Sequence, residues 1–127
     1  MEIENYISSL FLSHKIILTG WVSHGVLPVY LNAADVYIMG SYVEGLSTSL
    51  FEAVAYGKPA VCTNFSSAQE LITNNENVYV IKNHNIDNFV NAVLKSRTIP
   101  KEKLEIHVKK MQEYSTKYLI ESILNKW

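Results

Sequence analysis

The sequence predicts an α/β fold with a parallel sheet of about four strands flanked by helices, and three observations lead there. Short apolar runs with no polar alternation, such as Val36-Tyr37-Ile38-Met39 and Ala60-Val61-Cys62, read as strands covered on both faces. These runs alternate with stretches in which apolar residues recur every three or four positions, the period of an amphipathic helix. Finally, 127 residues with 48% hydrophobic content are enough for one domain, residues 1–127, with a core of its own.

Taken in order, residues 3 to 12 place Ile3, Tyr6, Ile7, Leu10 and Phe11 on one side of a helix. Lys15 to Thr19 is a β-branched run closed by Gly20, the pattern of a strand ending in a turn. Trp21 to Val26 follows, just beyond the carboxyl end of that strand, where an open α/β sheet usually meets its ligand. Leu27 to Ala34 reads as a short helix with Pro28 in its first turn, and Asp35 to Met39 as a strand buried on both faces. Gly40 and Ser41 end that strand. A third strand is expected at Pro59 to Thr63, a short helix at Ser66 to Ile72, and a fourth strand at Asn77 to Ile81. Three helices complete the chain, at about Ile86 to Arg97, Lys101 to Tyr114 and Thr116 to Trp127. Leu104, Val108 and Met111 form a stripe on the second of these, and Tyr118, Ile120, Ile123 and Leu124 a broader one on the third.

Composition removes several function classes. A formal net charge of −1 is unlike that of a strongly basic nucleic-acid binder. One Cys makes no internal disulfide, and no Cys/His cluster has metal-site spacing, so a reducing cytosolic setting is expected, with Cys62 packed as a small hydrophobe. No signal peptide is visible, and no apolar run approaches the roughly 18 residues of a membrane span. The lysines of the last third, Lys101, Lys103, Lys109, Lys110, Lys117 and Lys126, read most simply as a solvated face. A contact with anionic lipid at the inner face of a membrane is the sharper alternative. The sequence has no Gly-rich dinucleotide fingerprint, no P-loop and no His-Glu-x-x-His helix. Asn64-Phe65-Ser66 matches a glycosylation acceptor, without meaning in a cytosolic chain.

The chain is organised around Glu44 to Gly57. Ser47 offers an N-cap, an apolar run follows, and Gly57 and Pro59 supply a stop. Leu50, Phe51, Ala53, Val54 and Ala55 are apolar on nearly every face, so the helix is expected to be buried, and Glu52 within it is the anomaly. Glu44 adds a second carboxylate just before the helix. Between the two acids lie the backbone N–H groups of Leu46 to Ser49, at the positive end of the helix dipole. That layout suits a ligand with hydroxyls at both ends and phosphate in the middle. The local alternative is a Ser49-x-x-Glu52 capping box, with Glu44 an ordinary loop carboxylate.

These residues also carry a resemblance. Ser41-x-x-Glu44-Gly45-Leu46-x-x-x-Leu50-x-Glu52-Ala53-x-Ala55-x-Gly57-x-Pro59-x-Val61 is similar to the signature of retaining, nucleotide-sugar-dependent glycosyltransferases of family 4. Ile17-Leu18-Thr19-Gly20, Ala33-Ala34-Asp35-Val36 and Gln69-Glu70-Leu71-Ile72 extend the similarity to roughly residues 15 to 95. The resemblance implies the C-terminal, donor-binding, Rossmann-like half of a GT-B fold and a hexosyltransferase type of activity in polysaccharide or glycolipid synthesis. Under it, Glu44 and Gly45 bind the transferred sugar. Leu46, Ser47 and Thr48 face the diphosphate, and the Thr48 hydroxyl is an added donor. Glu52 binds the ribose, and Trp21 and Val22 approach the nucleobase. Trp21 reads equally as a packing residue, and His24 as an exposed loop residue. No metal or other cofactor is implied, and retention at the sugar carbon rests on the resemblance alone.

The chain departs from that family in several places. Gly40 stands where Pro is usual, Asn64-Phe65-Ser66-Ser67 where a glycine pair is common, and Val78 where Gly is usual. No basic residue matches the family's Arg and Lys, and Lys58 lies at the wrong end of the motif helix. The acceptor-binding half and the first two strands of the donor half have no counterpart. In the family those strands lie between the first and second strands of this chain, so the sheet is expected to close up or be filled by another chain. The resulting expectation is a partial nucleotide-sugar-binding domain, with no complete catalytic set and inactive alone. It would work with the missing half as a longer chain or a partner subunit, or as a homo-oligomer. A non-catalytic nucleotide-sugar-binding or accessory module and a nucleotide-sugar epimerase-like domain are the alternatives.

Overall fold

The computed structural model describes residues 2–44, 47–65, 68, 77–106, 108–109 and 112–113. Among them are helix α1 (Glu2–Ser9), helix α2 (Leu27–Ala33), strand β1 (Tyr37–Met39), helix α3 (Thr48–Ala55), strand β2 (Ala60–Thr63), strand β3 (Val78–Ile81) and helix α4 (Ile86–Ser96). A 3-10 turn, Lys82–His84, joins β3 to α4, and residues 101–106 are helical. The expected helix at Thr116 to Trp127, most of that at Ser66 to Ile72 and the end of that at Lys101 to Tyr114 lie outside the described residues.

The three strands form one parallel sheet in the order β1-β2-β3, with Tyr37 opposite Ala60 and Ala60 opposite Val78. Strand β2 is central and every residue in it is buried. Its side chains alternate between two cores, as a pleated strand requires. Ala60 and Cys62 pack with Leu50, Val54, Phe65, Ala68 and Val78 on the α3 face, and Val61 packs with Ile81, Ala92 and Phe89 on the α4 face. Helices on opposite faces of a parallel sheet are the expected α/β layering.

Helix caps follow the local sequence. Asn85 caps α4 by accepting the Asn88 N–H at 2.9 Å, with Asp87 in the first turn and Lys95 in the last. Helix α3 ends at Gly57, whose φ of 73° is the left-handed geometry of a C-terminal glycine, while Gly57 N–H donates to the Val54 carbonyl and Lys58 N–H to that of Ala53. A Cβ at Gly57 would also lie 3.0 Å from Val108 Cγ2.

Three expectations are corrected. Lys15 to Thr19 is not a strand, so the described sheet has three strands rather than about four, and Ile17 stands 86% exposed. The run has strand-forming residues, but β preference expresses fit to a neighbouring pleated surface, and no described strand pairs with it. Strand β1 is not buried on both faces: Ile38, opposite Val61 on the α4 face, is 52% exposed, because α4 packs mainly on β2 and β3 and leaves that face of β1 uncovered. The helix expected over 3 to 12 stops at Ser9, where the chain turns through Phe11 at a φ of 56°. Of its expected apolar stripe, Ile7 is buried while Ile3, Tyr6, Leu10 and Phe11 are exposed.

Candidate functional site

The candidate site lies where β1 and β2 end and α3 begins. Its helix is set against the sheet by hydroxyl contacts that depend on β1. Tyr37 Oη donates to Ser49 Oγ at 2.8 Å, and Ser47 Oγ lies 3.1 Å from Met39 Sδ, to which it donates. Ser47 is the N-cap, accepting the Leu50 N–H at 3.4 Å, as expected from sequence. Its cap leaves the amides of Thr48 and Ser49 in the first turn without an intrahelical partner, at the end where the helix dipole is positive.

With Ser47 as the cap, Ser49 is inside the helix and Glu52 lies beyond the third helical position. The Ser49–Glu52 capping box therefore does not form, and the local explanation for Glu52 is removed. Glu52 is also not buried, as its apolar neighbours suggested, but half-buried. Leu50, Ala53 and Val54 face the core, and Thr48, Glu52 and Ala55, four and three apart, form the opposite stripe. A helical side chain leans toward the helix N-terminus, so Glu52 covers the turn carrying Thr48. Among the described residues its carboxylate has no hydrogen-bond or ion-pair partner.

Glu44 precedes the same helix in the chain. Two residues separate it from Ser47, so the two lie at most roughly 11 Å apart along the backbone. Its carboxylate accepts a hydrogen bond from Ser41 Oγ at 3.0 Å. The Ser41 carbonyl in turn accepts from the Thr63 hydroxyl at the end of β2. Tyr42, beside Ser41, stacks on His84, with ring centroids 4.2 Å apart and planes inclined by 13°. Glu44 and Thr48 thus flank the Ser47 cap in sequence and Glu52 lies on the exposed stripe of the same helix, whereas Gly45 and Leu46 lie outside the described residues. Trp21 is 87% exposed, so it is not a packing residue among the described residues, and His24 is exposed as read. No hydrogen bond or ring contact among the described residues ties Trp21 or Val22 to the Glu44 loop or to α3.

Sequence reasoning missed Tyr37, Thr63, Tyr42 and His84. Tyr37 and Thr63 were read as strand residues, and nothing local to them signals a hydroxyl partner on another element. His84 carried one faint signal, since His is among the residues that tolerate a left-handed backbone, and its φ is 47°. Lys58 is spent elsewhere, donating to the Asn32 carbonyl at 2.9 Å. Among the described residues no group of three His, Cys, Asp or Glu side chains is placed to hold a metal ion, and no helix is long and apolar enough to cross a membrane.

The family model described as glycosyl transferases group 1 matches residues 1–118. The chain is 30% identical over 91 residues to the UDP-Gal:alpha-D-GlcNAc-diphosphoundecaprenol alpha-1,3-galactosyltransferase of Escherichia coli, covering 72% of this chain and 23% of that protein. It is 32% identical over 88 residues to the poly(ribitol-phosphate) alpha-N-acetylglucosaminyltransferase of Staphylococcus aureus, covering 68% of this chain and 18% of that one. Identity is also 32%, over 89 residues, to a GDP-mannose-dependent alpha-(1-6)-phosphatidylinositol monomannoside mannosyltransferase of Mycobacterium tuberculosis, covering 65% and 23%. The chain thus spans about a quarter or less of the length of these relatives. No solved structure matches it at a comparable level of significance. With the family model matching nearly its whole length, on an α/β scaffold with a parallel sheet, the chain belongs to the group 1 glycosyl transferases.

Proposed function

We propose that this chain is the donor-binding part of a retaining glycosyltransferase, taking a sugar from a nucleotide-diphosphate sugar and completed by protein outside it. One arrangement supports the reading. The amides of Thr48 and Ser49 open α3, Glu44 lies three positions before its Ser47 cap, and Glu52, on the exposed stripe of the same helix, has a carboxylate with no partner among the described residues. The diphosphate sits on the amides, Glu44 with Gly45 takes the sugar hydroxyls, and Glu52 takes the ribose. Leu46 and Ser47 add backbone donors, and the exposed Thr48 hydroxyl adds another.

The chemistry follows from charge. As the bond from the sugar carbon to the diphosphate oxygen breaks, negative charge grows on the leaving group, and fixed N–H dipoles stabilise it without rearranging. A helix tip offers only about half a positive charge. A departing nucleoside diphosphate carries more than that, and Lys58 is turned away toward Asn32. The remaining cations are therefore supplied by the missing half or a partner subunit, and the chain alone binds without turning over. The exposed Ile17 run and the edge of β1, which no described strand pairs with, support the same conclusion, since both are surfaces a larger sheet would cover.

The relatives' names include a UDP-linked and a GDP-linked donor, so both bases belong in the test. The same two names include lipid-linked acceptors, which supports a working position at a membrane face. Calorimetric titration of the chain with UDP- and GDP-sugars checks the proposal. One of the two should bind, and Glu52→Ala should weaken it by about tenfold or more, the usual cost of a hydrogen bond to a charged group. Absence of binding to either nucleotide sugar, alone and with a complementing catalytic half, overturns it.

A further inference from the structure

The loop that carries Glu44 does not hang free from the end of β1. It crosses the carboxyl end of β2, where the Thr63 hydroxyl donates to the Ser41 carbonyl, and continues to the far side of the sheet, where Tyr42 lies flat on His84. His84 closes the 3-10 turn after β3, and its left-handed φ of 47° is held between β3 and the Asn85 cap of α4. The loop therefore starts on one edge strand and is pinned to the other two. From this bridge Ser41 Oγ reaches Glu44 at 3.0 Å. The Thr63 bond also satisfies a buried hydroxyl, whereas the stack lies outside the core. Tyr42 is 77% exposed and His84 is exposed, so burial does not account for a near-parallel pair of rings.

We propose that Tyr42, His84 and Thr63 are positioning residues: together they latch the Ser41–Glu44 loop across the carboxyl edge of the sheet and so fix where Glu44 grips the donor sugar. The inference rests on the donor-site reading for its role in binding, while the latch itself is a property of the unliganded chain. Aromatic pairs of this kind contribute beyond their buried area, enough to change a local equilibrium by roughly two- to tenfold.

Two measurements on the full chain test it. Backbone ¹⁵N relaxation reads the latch without ligand: order parameters at 41–44 should be near the roughly 0.85 of rigid backbone in the wild type. They should fall below about 0.6 in Tyr42→Ala and in His84→Gly, which removes the ring while accepting the same backbone geometry. Tyr42→Phe keeps the stack and should restore wild-type values. Both disruptive variants alter exposed residues, so the fold survives them. Titration then reads the role of the latch. Tyr42→Ala should weaken the nucleotide sugar by about three- to tenfold and leave the bare nucleoside diphosphate unchanged, because only the sugar contact is displaced. Unchanged order parameters in both variants overturn the latch. Equal weakening of nucleotide sugar and nucleotide overturns its role in sugar positioning. If the wild type binds no nucleotide sugar while the loop loosens as expected, the donor-site reading fails and the latch stands.

Discussion

Two regions of this chain are built on different terms. Among the described residues from Tyr37 to Ser96 the elements pack on one another: β2 is buried along its length, and α3 and α4 cover its two faces. From Glu2 to Ala34 the backbone hydrogen bonds are all local, and the side chains of Ile3, Tyr6, Phe11, Ile17 and Trp21 stand exposed. A hydrogen bond from Lys58 to the Asn32 carbonyl ties the end of α2 to the turn after α3. Both regions have strong local signals for regular structure, but the first buries only Ile7 and Leu31 of its described side chains, so fewer neighbours use them. Apolar periodicity therefore states what a segment can do, and the partner it meets decides whether it does so.

The contrast can be broken most forcefully at Leu50, which is fully buried in the α3 core. Leu50→Ala should cost about 2–5 kcal/mol in denaturant unfolding, the usual cost of a large-to-small change in a packed core. A loss below about 1 kcal/mol would mean the second region is no better packed than the first. A smaller, pH-dependent effect belongs to Cys62. Burial in β2 pushes its thiol up from 9.0 to about 11, so the folded state holds its proton longer than the unfolded chain. Stability from this group is complete below pH 9 and declines as pH rises from about 9 to 11, by on the order of 2 kcal/mol in all. Wild type should accordingly lose more stability than Cys62→Ala across that interval, and equal losses would place the thiol in contact with water. The smallest effect is expected at Ile17, where Ile17→Ser should change stability by less than about 0.5 kcal/mol, as for other exposed sites. A core-sized loss there would show that the first region is packed after all.

The same contrast explains what could be read from the sequence. Strands β2 and β3, helices α3 and α4, and the Ser47 and Gly57 ends of the motif helix were legible, because capping residues and short apolar runs are local signals. The run at Lys15 to Thr19 misled, since a strand is defined by its neighbour. Ile38 misled for a related reason: a run of apolar residues does not reveal which face of its strand a helix leaves uncovered. The exposure of Glu52 was hidden by the helix being apolar on too many sides, so only packing showed which stripe turned outward. Tyr42 and His84 could not have been paired from sequence, because they come from loops after different strands and meet only through the strand order.

Gly57 gives one more consequence. It belongs to the motif that looks like a donor-binding signature, yet its missing side chain serves carpentry: with a left-handed backbone and Val108 against it, this is where the C-terminal helical stretch is seated on the motif helix. Part of a pattern that reads as a description of the ligand is thus a description of a joint. A methyl group at that joint would push on the rear of the motif helix, at the opposite end from the Ser47 cap and Thr48.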